Sequence, residues 1–108
     1  MTCIFCAIAE HKMKASVVYE NDKVMAFDDI APQAPVHVVI IPKKHITEVR
    51  DIGGHPEIFE AVEEVARIKG LTKDGFRLVL NKGSKAGQSV DHLHFHLLGG
   101  RVMKWPPG

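Results

Sequence analysis

The sequence of 108 residues lacks any long apolar run, and its charge shows no excess of either sign. No stretch approaches the roughly 18 consecutive apolar residues that a membrane-spanning helix needs, so we expect no membrane partner. Lysine and arginine total 14 while aspartate and glutamate total 13, which gives a formal net charge of +1. Proteins dedicated to duplex nucleic acid usually carry a marked basic face, so this balance argues against that class.

Cysteine is also scarce, because the chain has only Cys3 and Cys6, in a Cys-x-x-Cys spacing. A polar segment that bears these cysteines follows Met1 at once, so we expect no secretory leader and a cytoplasmic location. In a reducing compartment this spacing indicates a metal half-site or a pair of thiols rather than a structural disulfide. The length fits one domain over residues 1–108.

Hydrophobic periodicity predicts a short helix first, then strands, one long helix and two more strands. Helical spacing of apolar residues predicts the short helix at Cys3–Ala9. The long helix should begin at Pro56 and end at Gly70. Its expected buried stripe is Ile58, Val62, Val65 and Ala66, and the expected strands are Val17–Glu20, Val24–Asp28, His37–Ile41, Phe76–Leu80 and His92–Leu98. Strands grouped beside one long helix predict an α+β fold with a mostly antiparallel sheet.

The segment His92–Leu98 alternates histidine with apolar residues, which is the period of a strand. Leu93, Phe95 and Leu97 would pack into a core, and the three histidines would stand on the other face about 7 Å apart. The ends of that row are about 13 Å apart on a regular strand. Since zinc–nitrogen bonds are about 2.0–2.1 Å, one ion should not reach all three histidines without a bulge.

The loop over residues 81–89, before the histidines, has the composition of a phosphate cradle. Glycines let backbone N–H groups turn toward an anion, and hydroxyl, amide and lysine side chains add donors and positive charge. The residues in question are Asn81, Lys82, Gly83, Ser84, Lys85, Gly87, Gln88 and Ser89. Imidazole attacks phosphorus without a strong base, since its pKa of about 6.5 leaves it mostly neutral at neutral pH. Together the two segments favour phosphoryl or nucleotidyl transfer through histidine.

The pattern H-x-H-x-H followed by two apolar residues resembles the signature of the histidine triad (HIT) superfamily of nucleotide hydrolases and transferases. Other segments resemble its Hint branch, the nucleoside phosphoramidases, in the bacterial type that begins with Cys-x-x-Cys. They are Phe27–Ile30, Pro32–Pro35, Ile41–Ile46, Gly87–Val90, Leu98–Arg101 and Trp105–Gly108. The resemblance implies a HIT-like fold, with a five-stranded, mostly antiparallel sheet, one long helix and a short N-terminal helix.

The resemblance also implies a role for each site residue. His94 would be the nucleophile, His96 would contact the phosphate, and His37 would hold or relay protons. Ser89 would hydrogen-bond the leaving-group nitrogen or the phosphate, and Asp29 would bind the ribose hydroxyls. The implied purine slot is Ile4, Phe5, Ile8, Phe27, Ile30 and Val39, and the implied phosphate border is Asn81, Gly87 and Gln88. Several of the apolar residues would also serve as core.

Two further implications concern metal and partner. Bacterial relatives with this Cys-x-x-Cys commonly complete a tetrahedral site with two histidines, which correspond to His45 and His92. We hypothesise a structural zinc on Cys3, Cys6, His45 and His92, for which His11 is a substitute ligand. The alternative is two free thiols, with His45 and His92 packed or solvated. No cofactor is expected in the chemistry.

Family members form homodimers through the long helix and a strand, which would bring Trp105 toward the partner's site.

The activity implied by the resemblance is hydrolysis of purine nucleoside phosphoramidates, in which AMP is joined to an amine such as lysine. One alternative is cleavage of diadenosine polyphosphates, as in the Fhit branch, although Gly99–Arg101 and the Trp-Pro-Pro-Gly tail favour Hint. A second alternative is a nucleotide-binding adaptor protein that needs little turnover.

Overall fold

The computed structural model describes residues 3–108. Met1 and Thr2, on which the expectation of no leader partly rests, lie outside the described residues, and the single domain over 1–108 stays a prediction. No helix in the described range is long and apolar enough to cross a membrane. In chain order the elements are α1 (Ile4–Ala9), β1 (Val17–Glu20), β2 (Val24–Asp28), β3 (Val36–Pro42), α2 (Glu57–Ile68), β4 (Arg77–Leu80) and β5 (Phe95–Gly99).

Within residues 3–108 the strands form one five-stranded antiparallel sheet in the order β1-β2-β3-β5-β4. The central strand β3 pairs with β2 on one side and with β5 on the other. In the β3–β5 ladder, His37 lies opposite Leu98 and Val39 lies opposite His96. The α+β prediction is confirmed, and so is the sheet that the resemblance implied. The register brings His37 and His96 to the same part of the same face.

The two faces of the sheet bury different side chains, because successive residues of a strand point to opposite sides. On β2, Val24 and Ala26 pack with α2, whereas Met25 and Phe27 pack with α1. The face toward α2 is completed mainly by Val38, Ile40, Phe95 and Leu97, and the face toward α1 by Phe5, Ile8, Val39 and Ile41. The histidines that alternate with Phe95 and Leu97 point to the α1 face, where the rings of His92 and His94 contact Phe5.

The long helix α2 forms much as its periodicity predicts. Its predicted stripe of Ile58, Val62, Val65 and Ala66 is buried, together with Ala61. Glu57 lies in the first turn and Arg67 in the last, where each charge complements the helix dipole. Pro56 is the residue before the first helical position rather than that position itself. The chain leaves the helix through Gly70, whose φ of 72° is accessible to glycine at little cost.

The prediction of a strand from His92 onward is wrong at its start, because β5 begins at Phe95. The Leu93 N–H donates to the Ile46 carbonyl at 2.8 Å, and His92 Nε2 donates to the Pro42 carbonyl at 2.8 Å. These bonds tie the segment before β5 to the chain that leaves β3, in place of a sheet ladder. His92 and His94 are consequently buried, with 0% and 2% of their surface exposed.

Two short 3-10 turns, Val49–Gly54 and Ser84–Ala86, lie where the sequence predicted only a glycine break and a loop. The carbonyl and amide groups of these turns form hydrogen bonds within each turn. Both segments are too short to show a hydrophobic periodicity, so the sequence did not predict them. The second turn lies inside the predicted phosphate loop, so that loop has a defined backbone before the triad begins.

Candidate functional site

His94 lies at the centre of the site, directly before β5, and its main-chain neighbour fixes its proton. Its Nδ1 lies 2.7 Å from the His92 carbonyl oxygen. A carbonyl only accepts hydrogen bonds, so Nδ1 carries the proton and the neutral ring keeps its lone pair on Nε2. The His94 ring lies 5.0 Å from the His96 ring and 5.0 Å from Phe5, measured between centroids. The ring is therefore held by packing as well as by its hydrogen bond, with a nucleophilic nitrogen on the side away from the main chain.

His37 and His96 form a second hydrogen-bonded unit beside His94. The Gln33 N–H donates to His37 Nδ1 at 3.0 Å, so the neutral His37 ring carries its proton on Nε2. His37 Nε2 lies 2.8 Å from His96 Nδ1 and 3.3 Å from Asp29 Oδ2. His96 Nδ1 accepts the shorter bond, which leaves the His96 Nε2–H as the donor available to a ligand. The unit therefore presents a hydrogen-bond donor beside the nucleophilic nitrogen of His94.

The surroundings of His92 and His96 favour the neutral form of each ring. Burial lowers the pKa of His96, and the neighbouring His94 and His37 lower it further, while Asp29 opposes this shift. Burial likewise lowers the pKa of His92, with smaller contributions from His45 and His94, although the hydrogen bond to Pro42 opposes it. Neutral imidazole is the form that donates from one nitrogen and accepts at the other. His92 and His96 are therefore neutral at neutral pH, each with one nitrogen that donates and one that accepts.

The predicted metal ligands come together at the other end of the histidine segment. Cys3 Sγ lies 3.4 Å from His92 Nδ1, Cys6 Sγ lies 3.6 Å from the same nitrogen, and Cys6 Sγ lies 3.3 Å from His45 Nδ1. Zinc bonds of about 2.3 Å to sulfur and 2.0–2.1 Å to nitrogen give a tetrahedral S···N edge of about 3.6 Å. The four side chains could therefore hold a metal ion of zinc's preferences, and we refer to them as the metal-binding cluster.

The protonation of this cluster also suits a metal. His92 Nε2 donates to the Pro42 carbonyl, so its Nδ1 lone pair faces the two sulfurs. A ligating histidine commonly donates its other nitrogen to a carbonyl in this way. Burial raises the pKa of the Cys6 thiol to about 11, with further contributions from Cys3 and Glu10. Without a cation Cys6 is thus a neutral thiol, and a bound cation would displace its proton.

His11, the suggested substitute ligand, lies apart from the metal-binding cluster. Its Nε2 is 2.7 Å from Glu20 Oε2, in an exposed pair. Among the described residues the cluster comprises Cys3, Cys6, His45 and His92 without it.

The apolar residues assigned to the purine slot divide into two sets. Phe5, Ile8, Phe27 and Val39 form one buried cluster on the α1 face, where Phe5 and Phe27 meet edge to face at 5.5 Å. Ile4 and Ile30 are exposed, and Ile30 is fully exposed at 101%. The buried set is core in this structure, whereas Ile4 and Ile30 are the members whose side chains are open to a ligand.

The predicted phosphate loop is held mainly by Gln88. Its side-chain oxygen accepts from the Gly83 N–H at 2.8 Å, and its Nε2 donates to the Val90 carbonyl at 3.1 Å. Gly87 adopts a left-handed φ of 84°, which a side chain would strain. Lys82 turns away to the Thr47 carbonyl at 2.8 Å. Ser89 is exposed and Asn81 half-buried, whereas Gln88 braces the loop instead of offering its amide to a ligand.

Trp105 is 81% exposed and lies beside its own sheet edge. The Arg77 guanidinium is 5.9 Å from the centre of the Trp105 ring and donates to the Lys104 carbonyl at 3.0 Å. The tail is thus held against β4, the edge strand.

The sequence reasoning missed the main-chain groups that fix each ring: the Pro42 and His92 carbonyls and the Gln33 N–H. No residue type marks such groups. The Pro32–Pro35 segment was noted only for its resemblance, yet it supplies the hydrogen bond that orients His37.

Comparisons with known proteins agree with this geometry. A HIT domain match covers residues 10–103. An uncharacterized HIT-like protein from Synechococcus elongatus is 45% identical over 97% of this chain and 96% of its own length. The crystal structure of a HIT family hydrolase from Legionella pneumophila is 46% identical, with a TM-score of 0.92 over 99% of this chain and 100% of that one. A histidine triad nucleotide-binding protein from Candida albicans is 32% identical, with a TM-score of 0.85 over 97% of this chain and 83% of that one. The chain therefore belongs to the HIT domain family, in its bacterial form with Cys-x-x-Cys near the N-terminus.

Proposed function

We propose that this protein hydrolyses purine nucleoside phosphoramidates, in which AMP is joined through phosphorus to an amine such as lysine. The observation that carries the proposal is the pair of complementary nitrogens at the triad. His94 Nε2 bears a lone pair because Nδ1 donates to the His92 carbonyl, and His96 Nε2 bears a proton because Nδ1 accepts from His37. The family's hydrolase and nucleotide-binding relatives support a nucleotide as the class of substrate.

The reaction proceeds in two displacements. His94 Nε2 attacks the α-phosphorus, and the P–N bond breaks with its electron pair leaving on the amine nitrogen. The amine takes a proton from the exposed Ser89 hydroxyl, which regains one from solvent water. The His92 carbonyl stabilises the cationic nucleotidyl-histidine through Nδ1–H, while His96 Nε2–H donates to a phosphate oxygen. Water then attacks phosphorus, loses a proton, and releases AMP from His94. Asp29 would hold the ribose hydroxyls, with Asn81 and Gly87 bordering the phosphate.

Kinetics on two substrate types test this proposal. Wild-type protein should hydrolyse an AMP–lysine-type phosphoramidate faster than a diadenosine polyphosphate. The reason is that the departing amine needs a proton, which the Ser89 hydroxyl can pass to it. His94→Ala should lower kcat/KM on the order of 10⁴-fold or more, because it removes the nucleophile. Substantial phosphoramidase activity in His94→Ala would contradict the proposal. Faster diadenosine polyphosphate cleavage would instead favour the alternative activity.

A structural zinc is part of this proposal. The S···N distances of 3.3–3.6 Å and the lone pair of His92 Nδ1 support Cys3, Cys6, His45 and His92 as its ligands. When bound, zinc supplies folding stability by joining α1 to the segment before β5, and no catalytic step passes through it. Thiolate ligands must stay reduced, which favours a cytoplasmic location.

A homodimer is the assembly that we propose. The strand β4 forms one edge of the sheet, where its outer backbone groups are available to pair. Phe59 on α2 is 49% exposed and Ile68 is 46% exposed, so the long helix also presents apolar surface. In such a dimer Trp105, held near β4 by Arg77, would reach toward the partner's site. Sedimentation at several protein concentrations would measure the state, and a monomer at every concentration would contradict it.

A further inference from the structure

We infer that Arg101 is a positioning residue for the triad, which acts through the Gln33 main chain on the protons of His37 and His96. This inference rests on the proposed function, because it concerns the hydrogen-bond donor that His96 presents to the substrate. It gives a role to two segments, Pro32–Pro35 and Leu98–Arg101, that the proposed chemistry does not otherwise use.

The first step is the contact between the turn after β5 and the loop before β3. Arg101 Nη2 and Nε lie 3.0 and 3.3 Å from the Gln33 carbonyl oxygen, so the guanidinium donates twice to one acceptor. Its remaining bond is to the Val102 carbonyl at 3.3 Å. Within residues 3–108 no carboxylate forms a salt bridge with Arg101, so its charge acts on main-chain carbonyls alone.

Packing strengthens the same contact. Gly100 has a φ of 88°, and a Cβ added there would lie 2.9 Å from Pro35 Cβ. Glycine is therefore required both by the backbone conformation and by the close approach of Pro35. The turn consequently contacts the loop at two points, Pro35 and the Gln33 carbonyl, which lie on either side of Ala34.

The second step runs from the loop to the triad. The Gln33 N–H donates to His37 Nδ1 at 3.0 Å, and His37 Nε2 donates to His96 Nδ1 at 2.8 Å. If the loop moves, His37 Nδ1 loses its donor and the ring can carry its proton there. His37 Nε2 would then become an acceptor, and His96 would have to donate from Nδ1. The neutral His96 would have no proton left on Nε2, so its donor to the substrate phosphate would be lost.

The prediction for Arg101→Ala is a loss of kcat rather than of binding. We expect kcat to fall about tenfold, the scale of a misoriented general acid–base or phosphate donor, with KM changed less than about twofold. Arg101→Lys, which can donate one bond to the Gln33 carbonyl, should fall between wild type and Arg101→Ala. Arg67→Ala is the matched control, because Arg67 is an exposed arginine on α2 that pairs with Glu64.

Tautomers measured by NMR on ¹⁵N-histidine-labelled protein give the decisive readout, recorded at about pH 8, above the ordinary histidine pKa of about 6.5. Wild type and Arg67→Ala should show His37 and His96 both protonated on Nε2. Arg101→Ala should show a second population protonated on Nδ1 in both rings. As a second variant, the α-hydroxy acid analogue at position 33 removes the Gln33 N–H alone and should give the same populations.

Wild-type tautomers in Arg101→Ala, or a wild-type kcat in that variant, would overturn the inference. Because the NMR readout needs no turnover, it also separates the two claims. A wild-type protein with ordered tautomers but no phosphoramidase activity would overturn the proposed substrate and leave the positioning by Arg101 standing.

Discussion

Two clusters at opposite ends of the histidine segment contain similar residue types and differ in what their distances permit. In the metal-binding cluster of Cys3, Cys6, His45 and His92, sulfur and nitrogen atoms lie 3.3–3.6 Å apart, close to the tetrahedral edge of about 3.6 Å. In the triad-side cluster of Asp29, His37 and His96, the ring nitrogens lie 2.8 Å apart. A tetrahedral N···N edge would be about 3.4 Å for zinc, so 2.8 Å is the separation of a hydrogen bond.

The difference shows how neighbouring histidines acquire separate roles. His92 turns its Nδ1 lone pair to the sulfurs because its Nε2 donates to Pro42, whereas His96 turns its Nδ1 to His37. Between them, His94 donates to the carbonyl of His92 itself. In each ring, one nitrogen is held by a main-chain or side-chain partner. The other nitrogen is then the one left free for the ligand that we propose, which is metal at His92, phosphorus at His94 and phosphate at His96.

The largest effect should come from removing one thiol of the metal-binding cluster. Cys6→Ser should lower the affinity for Co²⁺, used as a spectroscopic substitute for zinc, by about 10³-fold or more, since a thiolate ligand is lost. Titration followed by the thiolate charge-transfer band measures this loss. His11→Asn is the control, and it should bind one ion as wild type does. A second ion bound at Asp29, His37 and His96 would contradict the division between the clusters.

A substitution in the triad-side cluster should have a smaller effect, and on a different quantity. His37→Asn should lower kcat/KM about 10²-fold, because His96 loses the donor that fixes its proton. Its metal content, measured on the same preparation, should equal that of wild type. Loss of metal together with activity would mean that the two clusters are not independent.

The pH dependence of stability should distinguish the half-buried His96 from a solvated histidine. Burial lowers its folded pKa, so below about pH 6.5 the unfolded chain binds more protons than the folded one. The free energy of unfolding should therefore fall as the pH drops from about 6.5 toward the folded pKa, by at most about 1.4 kcal/mol per pH unit for this group. Urea unfolding with chelator present measures it, and His96→Asn should show a shallower dependence. Equal slopes would contradict the assignment.

The smallest expected effect concerns Asp29. Asp29→Asn keeps an oxygen for the Ala31 N–H, which Oδ1 accepts at 2.8 Å, but removes the charge near the two rings. Because that charge opposes the lowering of the His96 pKa, the variant should titrate His96 at a lower pH than wild type. An NMR titration of the ring measures the shift, and kcat/KM at neutral pH should change only about two- to fourfold. A shift to higher pH would contradict the charge argument.

The sequence predicted the elements that local signals define. The strands Val17–Glu20 and Val24–Asp28 are confirmed at both ends. Between them the Asn21 side-chain oxygen accepts from the Lys23 and Val24 amides, which fixes a tight turn. The start of β5 was missed, because the residues from His92 to His94 alternate between polar and apolar as strand residues do. His92 is instead bonded to the Pro42 carbonyl, outside the sheet. Periodicity reports which residues are buried and carries no information on long-range main-chain bonds.

For the site, the residues themselves indicated a histidine row next to a phosphate loop, and the resemblance supplied the individual roles. Their convergence depends on pairing across long stretches of chain, such as His37 with His96 through the β3–β5 register. The exposure of Ile30 and the bracing by Gln88 depend on loop geometry, which neither composition nor spacing encodes.

The division of roles among His92, His94 and His96 can be tested most directly by trapping the covalent intermediate. Protein mixed with an AMP phosphoramidate and quenched in alkali, where a phosphorus–histidine bond is expected to survive, would be digested and mapped by tandem mass spectrometry. We expect one nucleotidyl group, carried by His94 in a metal-loaded protein, and none in His94→Ala. A nucleotidyl group on His96 or His92, or full turnover with no modified histidine, would contradict it.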